Sequence, residues 1–285
     1  MASLTSFYSQ NFEDVLLSRV FSDVTEGIYV DVGCHHELQD SVTRYFYEHG
    51  WSGINLDPVA EHIQEYALRP RDISLNLAAG ASASRLPFSV VDGSGLSSFY
   101  ASHVECAHTH GLRQVEERWV EVQTLNAILE EHLAPGRAIT FLKIDVEGHE
   151  YDVLKGIDLR RYRPIVILVE TTQPCSTLLV ESFSDISAYI CGHGYSEVYF
   201  DGVNTWWLAE EQKNSRLHHF QYPIGVFDGY GPFEIRRVLL EAEQGQREAV
   251  QARIAAEQAR DEALQALNNS PWRRLTHRFT RRFTG

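Results

Sequence analysis

The chain has 285 residues, of which 44% are hydrophobic and 22% charged, and it carries a formal net charge of -14. That mix is ordinary for a soluble globular protein with room for one generous core and an appendage. The acidity excludes general binding to nucleic acid, which needs clustered Lys and Arg against phosphate.

From Gly27 onward, short β-rich runs alternate with helical stretches, the pattern of repeated βαβ units around a parallel sheet. Strands are expected at Gly27–Gly33, Ser52–Pro58, Ile73–Gly80, Ile139–Gly148 and Pro164–Glu170. Helices are expected at Ser41–His49, Ala60–Leu68, Leu125–His132, Tyr151–Gly156 and Ile186–Gly192. "YSEVYFD" and "NTWWLAE" then read as a closing pair of strands, giving an α/β fold with a doubly wound, mostly parallel sheet and a late antiparallel hairpin. Residues 91–120 fit no period, and their "DGSGLSSF" reads as a mobile, lid-like loop.

After Pro232 the composition shifts to Glu, Gln, Arg and Ala. The stretch from Glu234 to Leu267 has no proline and predicts one long helix of roughly 50 Å by the 1.5 Å rise per residue. Its apolar face is mostly Ala, a weak coiled-coil seam, and Pro271 stops it. The division expected is therefore a domain over 1–231, a long helix over 232–269 and a tail over 270–285. In that tail Trp272, Leu275, Phe279 and Phe283 recur at helical spacing among five arginines and no acid. This is a basic amphipathic helix suited to an anionic membrane surface or an acidic partner, although a solvated basic end explains the same residues.

Cys34, Cys106, Cys175 and Cys191 have the spacing of neither a disulfide framework nor a zinc ribbon, which points to a reducing compartment. "MASLTSFYSQNFEDVLL" shows no basic-then-apolar leader, and no run approaches bilayer length. A cytoplasmic location is expected, with the tail placing the protein at the inner face of the membrane.

The chemistry gathers at strand ends, where open α/β sheets bind ligands. Gly33 lets the backbone bend sharply and approach a ligand, and Asp31 sets a carboxylate beside it. A dinucleotide site would want G-x-G-x-x-G opening a helix, whereas here one glycine is followed by Cys34, His35 and His36. Asp57 ends the next strand, where an acid accepts ribose hydroxyls in doubly wound folds. Adenosine without a pyrophosphate, plus a carboxylate for a positive group, describes S-adenosylmethionine. Turn acids capping helices would also account for Asp31 and Asp57.

The ordered set "YSQNFEDVLL", "YVDVGCHHELQDSVT", "GWSGINLDP", "LNLAAG", "FLKIDVEGHEYDVLKG", "RPIVILVE" and "FDGVNTWWL" resembles FkbM-type S-adenosylmethionine-dependent methyltransferases from about Tyr8 to Asp228. The resemblance implies a Rossmann-like class I methyltransferase fold and O-methylation of a sugar or polyketide hydroxyl. It also implies cofactor contacts from Gln10, Asp31, Gly33, Cys34, Asp57, Ala78 and Asp145, with the segment around Gln10, Glu13 and Asp14 folded over the cofactor. An amphipathic helix with Phe12, Leu16 and Leu17 inward explains that segment equally. Cys34 and His35 stand where members commonly have Ala and Asn, and Asp57 where Glu is commoner.

A hydroxyl that receives a methyl group must lose a proton, so the site wants a base and exclusion of water. His149 is the first choice because imidazole titrates near neutrality, with Glu147 orienting it or binding a sugar hydroxyl. Glu150 and Asn204 are expected at the acceptor, with Trp206 and Trp207 as an aromatic face or as core. Acids in "VEGHE" that merely cap the next helix would fit as well. Asp145, Glu147 and Glu170 could supply oxygens to a divalent metal. His103, Cys106, His108 and His110 lack a second ligand pair and read as a polar loop.

The expected function is thus O-methylation of a sugar or glycan hydroxyl in surface-polysaccharide or related glycan synthesis. "SPWRRLTHRF" resembles the ends of bacterial glycosyltransferases of surface-polysaccharide assembly, so the expected partners are the acceptor and, through the tail, a membrane or glycosyltransferase. Self-association into a homo-oligomer is left open. The alternatives are N-methylation of an amino sugar, a non-catalytic scaffold working through its tail, and an NAD-dependent oxidoreductase.

Overall fold

In a computed structural model of the chain, the residues described are 5–91, 97–99, 114–174, 176–232, 253 and 260. The chain separates into two units, Met1–Tyr230 and Gly231–Gly285. The predicted long helix and basic tail lie outside the described residues except for Arg253 and Arg260, which are helical.

The first unit is built on a central sheet. After a short strand β1 (Thr5–Phe7) and helix α1 (Glu13–Val20) come β2 (Ile28–Val32) and β3 (Ser52–Leu56). The helix α2 (Arg44–Glu48) lies between them, and α3 (Ala60–Glu65) follows before β4 (Ile73–Leu75). Further along are β5 (Ala78–Ala79), β6 (Ser84–Val91), β7 (Gln114–Gln123), α4 (Leu125–His132) and β8 (Phe141–Ile144). The unit continues with α5 (Glu150–Lys155), β9 (Val166–Glu170), α6 (Phe183–Gly192), β10 (Tyr195–Phe200) and β11 (Asn204–Ala209).

Seven strands form the main sheet in the order β10-β11-β9-β8-β2-β3-β4. β4, β3, β2, β8 and β9 run parallel, and β11 lies antiparallel between β9 and β10. This is the α/β, mostly parallel architecture expected, with its late hairpin. "IYVDV", "FLKI" and "VILVE" are near-continuous apolar runs because helices cover both faces of a parallel sheet. Val30, Leu142, Ile144 and Ile167 pack on one side with α4, α5 and α6, whereas Tyr29, Phe141 and Leu168 pack on the other with Leu16 and Leu17 of α1 and Phe46 of α2. Trp206 and Trp207 are fully buried, one in each layer, which settles them as core.

Two elements differ from the sequence reading. The single strand expected over Ile73–Gly80 divides, since Asn76 and Leu77 turn the chain from β4 at the edge of the main sheet to β5 in a separate three-stranded sheet ordered β5-β7-β6. Within residues 91–120, taken as irregular, Gln114–Val120 belongs to β7, which pairs antiparallel with β6. Its alternation was masked because only Val120 and Val122 point to the core, whereas Glu116, Glu117 and Trp119 are exposed. Residues 92–96 and 100–113 lie outside the described residues.

Candidate active site

The sheet is built outward in one direction from β2 through β3 and β4, and in the other from β8 through β9. The switch point between β2 and β8 is where such sheets open a crevice. At that seam Asp31 and Lys143 are direct register partners on adjacent strands. The two-residue period of a strand puts Asp145, just beyond β8, on the face Lys143 uses. Lys143 Nζ lies 3.3 Å from Asp31 Oδ1 and 3.2 Å from Asp145 Oδ2, and donates a 3.0 Å hydrogen bond to the Gly33 carbonyl.

Burial disfavours the Lys143 ammonium, yet the carboxylates of Asp145 and Asp31 outweigh it and raise its pKa. Burial pushes Asp31 up in spite of Lys143. Asp145 is pulled below the usual carboxylate range, since Lys143 and a hydrogen bond from Glu170 overcome its desolvation. Glu170 is pushed well up by burial and by the neighbouring Asp145 carboxylate.

The loop after β2 closes one side. Gly33 has φ +80°, and a Cβ there would stand 1.7 Å from the Asp145 carbonyl oxygen; only glycine permits this approach. The amides of Gly33 and Cys34 donate to the Leu56 carbonyl. His35, at φ 48°, donates its amide to Asp57 Oδ2 at 2.9 Å. The other Asp57 oxygen accepts the Val59 amide at 2.8 Å and stands 3.1 Å from His62 Nδ1. The His35 and His62 rings meet edge to face at 4.4 Å. Burial and His62 push His35 down to about 4, while Asp57 outweighs burial at His62 and raises it. Beneath this loop the fully buried Arg69 donates to Thr43 Oγ1, Ser41 Oγ and the Glu37 carbonyl, a brace for residues 37–43.

The loop after β8 closes the other side. Glu147 adopts φ 56° and Gly148 φ 103°, a left-handed turn ahead of α5. Glu150, on the first turn of that helix, accepts the Val146 amide at 3.2 Å and the Gly148 amide at 2.8 Å on one oxygen. Burial raises the Glu150 pKa to about 7. Asp145, Glu147 and Glu170 each offer a carboxylate oxygen, all within 4.8 Å of one another. Across β9, Asn204 is the register partner of Glu170, and its Nδ2 donates to Glu13 Oε1 at 2.9 Å. Burial and the nearby Asp201 raise the Glu13 pKa to about 7.

These groups line one cavity. Of the cofactor candidates, Gln10, Asp31, Gly33, Cys34, Asp57, Ala78 and Asp145 all border it. Glu147, Glu170 and Asn204 border it as well. Two candidates do not. Glu150 is turned inward, its Oε1 accepting the loop amides of Val146 and Gly148. His149 stands at the start of α5, where its Nε2 lies 3.6 Å from Asp152 one turn along and its ring lies against Phe99 at 5.0 Å. Burial lowers its pKa. The helix direction therefore draws His149 away from the cavity that Glu147 enters.

Sequence reasoning missed Lys143, the paired rings of His35 and His62, and Phe88 and Phe99 from the β6 region, all of which line the cavity. Lys143 had a signal, being a lone cation inside an apolar strand two residues before Asp145. His103, Cys106, His108 and His110 lie outside the described residues. The family model described as "Methyltransferase FkbM domain" matches residues 31–197, which spans the seam from Asp31 to Glu170. No curated protein matches the chain.

Proposed function

This chain belongs to the FkbM methyltransferase family, and on that premise we propose that it uses S-adenosylmethionine to methylate a hydroxyl of a sugar or glycan. The observation that carries the reading is the cavity at the β2–β8 seam, walled by the Gly33 loop on one side and by Asp145, Glu147 and Glu170 on the other. Among the described residues, the buried Asp31 Oδ1 has no aligned hydrogen-bond partner, with Lys143 Nζ 3.3 Å away. The backbone at Gly33 leaves no room for a side chain. A cationic, phosphate-free nucleoside fits both features.

S-adenosylmethionine, when bound, supplies the methyl group as a sulfonium leaving-group system. Asp31 and Asp145 hold negative charge toward that cation, and Lys143 keeps both carboxylates in place. Glu147 accepts the proton that the acceptor hydroxyl releases as its oxygen gains the methyl group. Glu147 takes this role over His149 because it reaches the cavity. Phe88 and Phe99 offer a sugar ring an aromatic wall, and the carboxylates offer its hydroxyls acceptors.

Asp145, Glu147 and Glu170 also have the convergence that a hard divalent cation needs, their carboxylate oxygens lying within 4.8 Å of one another. Those three residues would hold the metal, which would stabilise the negative charge that develops on the acceptor oxygen as its proton leaves. From the sequence, the tail over 270–285 docks the enzyme to an anionic membrane face or to a glycosyltransferase at the site of glycan assembly. In the described residues, no helix is long and apolar enough to cross a membrane.

The test is calorimetric titration with S-adenosylhomocysteine, using NAD as the control, followed by transfer of labelled methyl groups to neutral mono- and oligosaccharides with Mg²⁺ or with chelator. Micromolar or tighter binding of S-adenosylhomocysteine alone is expected. A protein that is folded but binds only NAD, or neither ligand, overturns the proposal.

A further inference from the structure

Glu147 occupies a backbone conformation that non-glycine residues adopt rarely, and the structure surrounds it with bonds that hold it there. One oxygen of the buried Glu150 accepts the amides on either side, from Val146 and Gly148. Ser98, fully buried between β6 and β7, donates its Oγ hydrogen to the Glu147 carbonyl at 2.7 Å. Ser98 is itself tied to β6, exchanging two backbone hydrogen bonds with Ser89 at 3.0 and 3.1 Å. Three successive residues of the turn are thus fixed by two side chains, one from the helix that follows it and one from a segment bridged to β6. A left-handed conformation at a non-glycine residue is strained and persists only where its surroundings over-determine it.

We infer that Glu150 and Ser98 are positioning residues for the proposed transfer, jointly fixing the 146–148 turn so that the Glu147 carboxylate faces the acceptor. The inference rests on the methyltransferase reading for its catalytic consequence, while the clamp itself stands on geometry alone. It also joins the aromatic wall to the base. Ser98 lies next to Phe99 in the chain, so the segment that presents an aromatic ring to the cavity also grips the backbone of Glu147. An acceptor that displaces Phe99 would in turn disturb Glu147, which makes this joint a point of acceptor discrimination.

The full-length protein and its Glu150→Ala, Glu150→Gln and Ser98→Ala variants separate the two levels. Amide hydrogen exchange at Val146 and Gly148 reads the clamp without any acceptor. Exchange in Glu150→Ala should rise by about tenfold or more, as expected when a buried amide loses its partner, and Glu150→Gln, which keeps an acceptor oxygen, should restore protection. Unchanged exchange in Glu150→Ala overturns the inference.

Titration with S-adenosylhomocysteine then tests the cofactor reading separately, and all three variants should bind as the unaltered protein does. Turnover with labelled S-adenosylmethionine and the sugar panel should fall in kcat by about 10- to 100-fold for Glu150→Ala, the size of effect a misplaced catalytic group produces. Glu150→Gln should recover most of it, and Ser98→Ala should lose less. Combining Glu150→Ala with Glu147→Gln should cost no more than Glu147→Gln alone. Loosened amides with unaltered kcat overturn the positioning role. If the unaltered protein binds no S-adenosylhomocysteine or methylates no sugar, it is the proposed function that fails, and amide exchange still decides the clamp.

Discussion

Lys143 Nζ stands 3.2 Å from Asp145 Oδ2, with Asp31 on its other side. Two acids on neighbouring strands therefore share one buried cation. Removing one partner from a buried ion pair leaves charge uncompensated and costs about 3–5 kcal/mol. Lys143→Met is accordingly expected to destabilise the protein by that amount in urea unfolding. Adding Asp31→Asn should return part of the loss, because it relieves one orphaned carboxylate, and the double-mutant cycle would show coupling. Strict additivity would count against a shared cation.

Gly33 and Gly50 both have positive φ, but they differ in what a side chain would meet. A Cβ on Gly33 would collide with the Asp145 carbonyl, whereas one on Gly50 would meet no atom of the described residues within 4 Å. Gly33→Ala should weaken S-adenosylhomocysteine by about tenfold or more, equivalent to about 1.4 kcal/mol. Gly50→Ala should cost stability through strain alone and leave the affinity as it was. Calorimetry on both variants reads the contrast directly.

The base can be assigned by comparing neighbours. Glu147→Gln should lower kcat by about 10²- to 10⁴-fold, the usual contribution of a general base, while keeping S-adenosylhomocysteine binding. His149→Ala, altering a ring packed on Phe99 outside the cavity lining, should cost less than about tenfold. The reverse order would return the base to His149.

Stability should depend on pH in a defined direction. Burial raises Glu13 and Glu150 to about 7 and Asp14 to about 6. An acid whose folded pKa lies above its unfolded value binds its proton more tightly in the native state. Its contribution is complete below the unfolded pKa and is lost as pH rises through the folded one. Each pKa unit corresponds to about 1.4 kcal/mol, so Glu13 alone accounts for about 3 kcal/mol across that window. Asp145 acts oppositely as pH falls through its depressed value, and His35, held down at about 4, also opposes the trend below the ordinary imidazole range, but it offsets only part of what the three raised acids contribute. The urea midpoint should therefore be higher at pH 5.5 than at pH 8, and Glu13→Gln, which can still accept from Asn204, should flatten the difference. A midpoint that rises toward pH 8 would contradict this account.

The parallel core of the sheet and the charged edge at its strand ends were legible in the chain alone, whereas the division of Ile73–Gly80 between two sheets was not. Apolar runs carrying Asp31, Asp57, Asp145 and Glu170 at or near their ends read as buried parallel strands with charge at one edge, because short apolar runs bounded by glycine suit strands covered on both faces. Gly33 was legible because a single glycine at a strand end has few other uses. What the tertiary structure decided lies where periodicity stops. Glu147 and Gly148 turn left-handed, so spacing within "VEGHE" could not tell which side chain enters the cavity, and it is Glu147 that does so while Glu150 faces the loop. The bond between Glu13 and Asn204 joins residues 191 positions apart, and the grip of Ser98 on Glu147 joins residues 49 positions apart. Local spacing fixes which face of an element a residue shares, but only the packed chain fixes what that face meets.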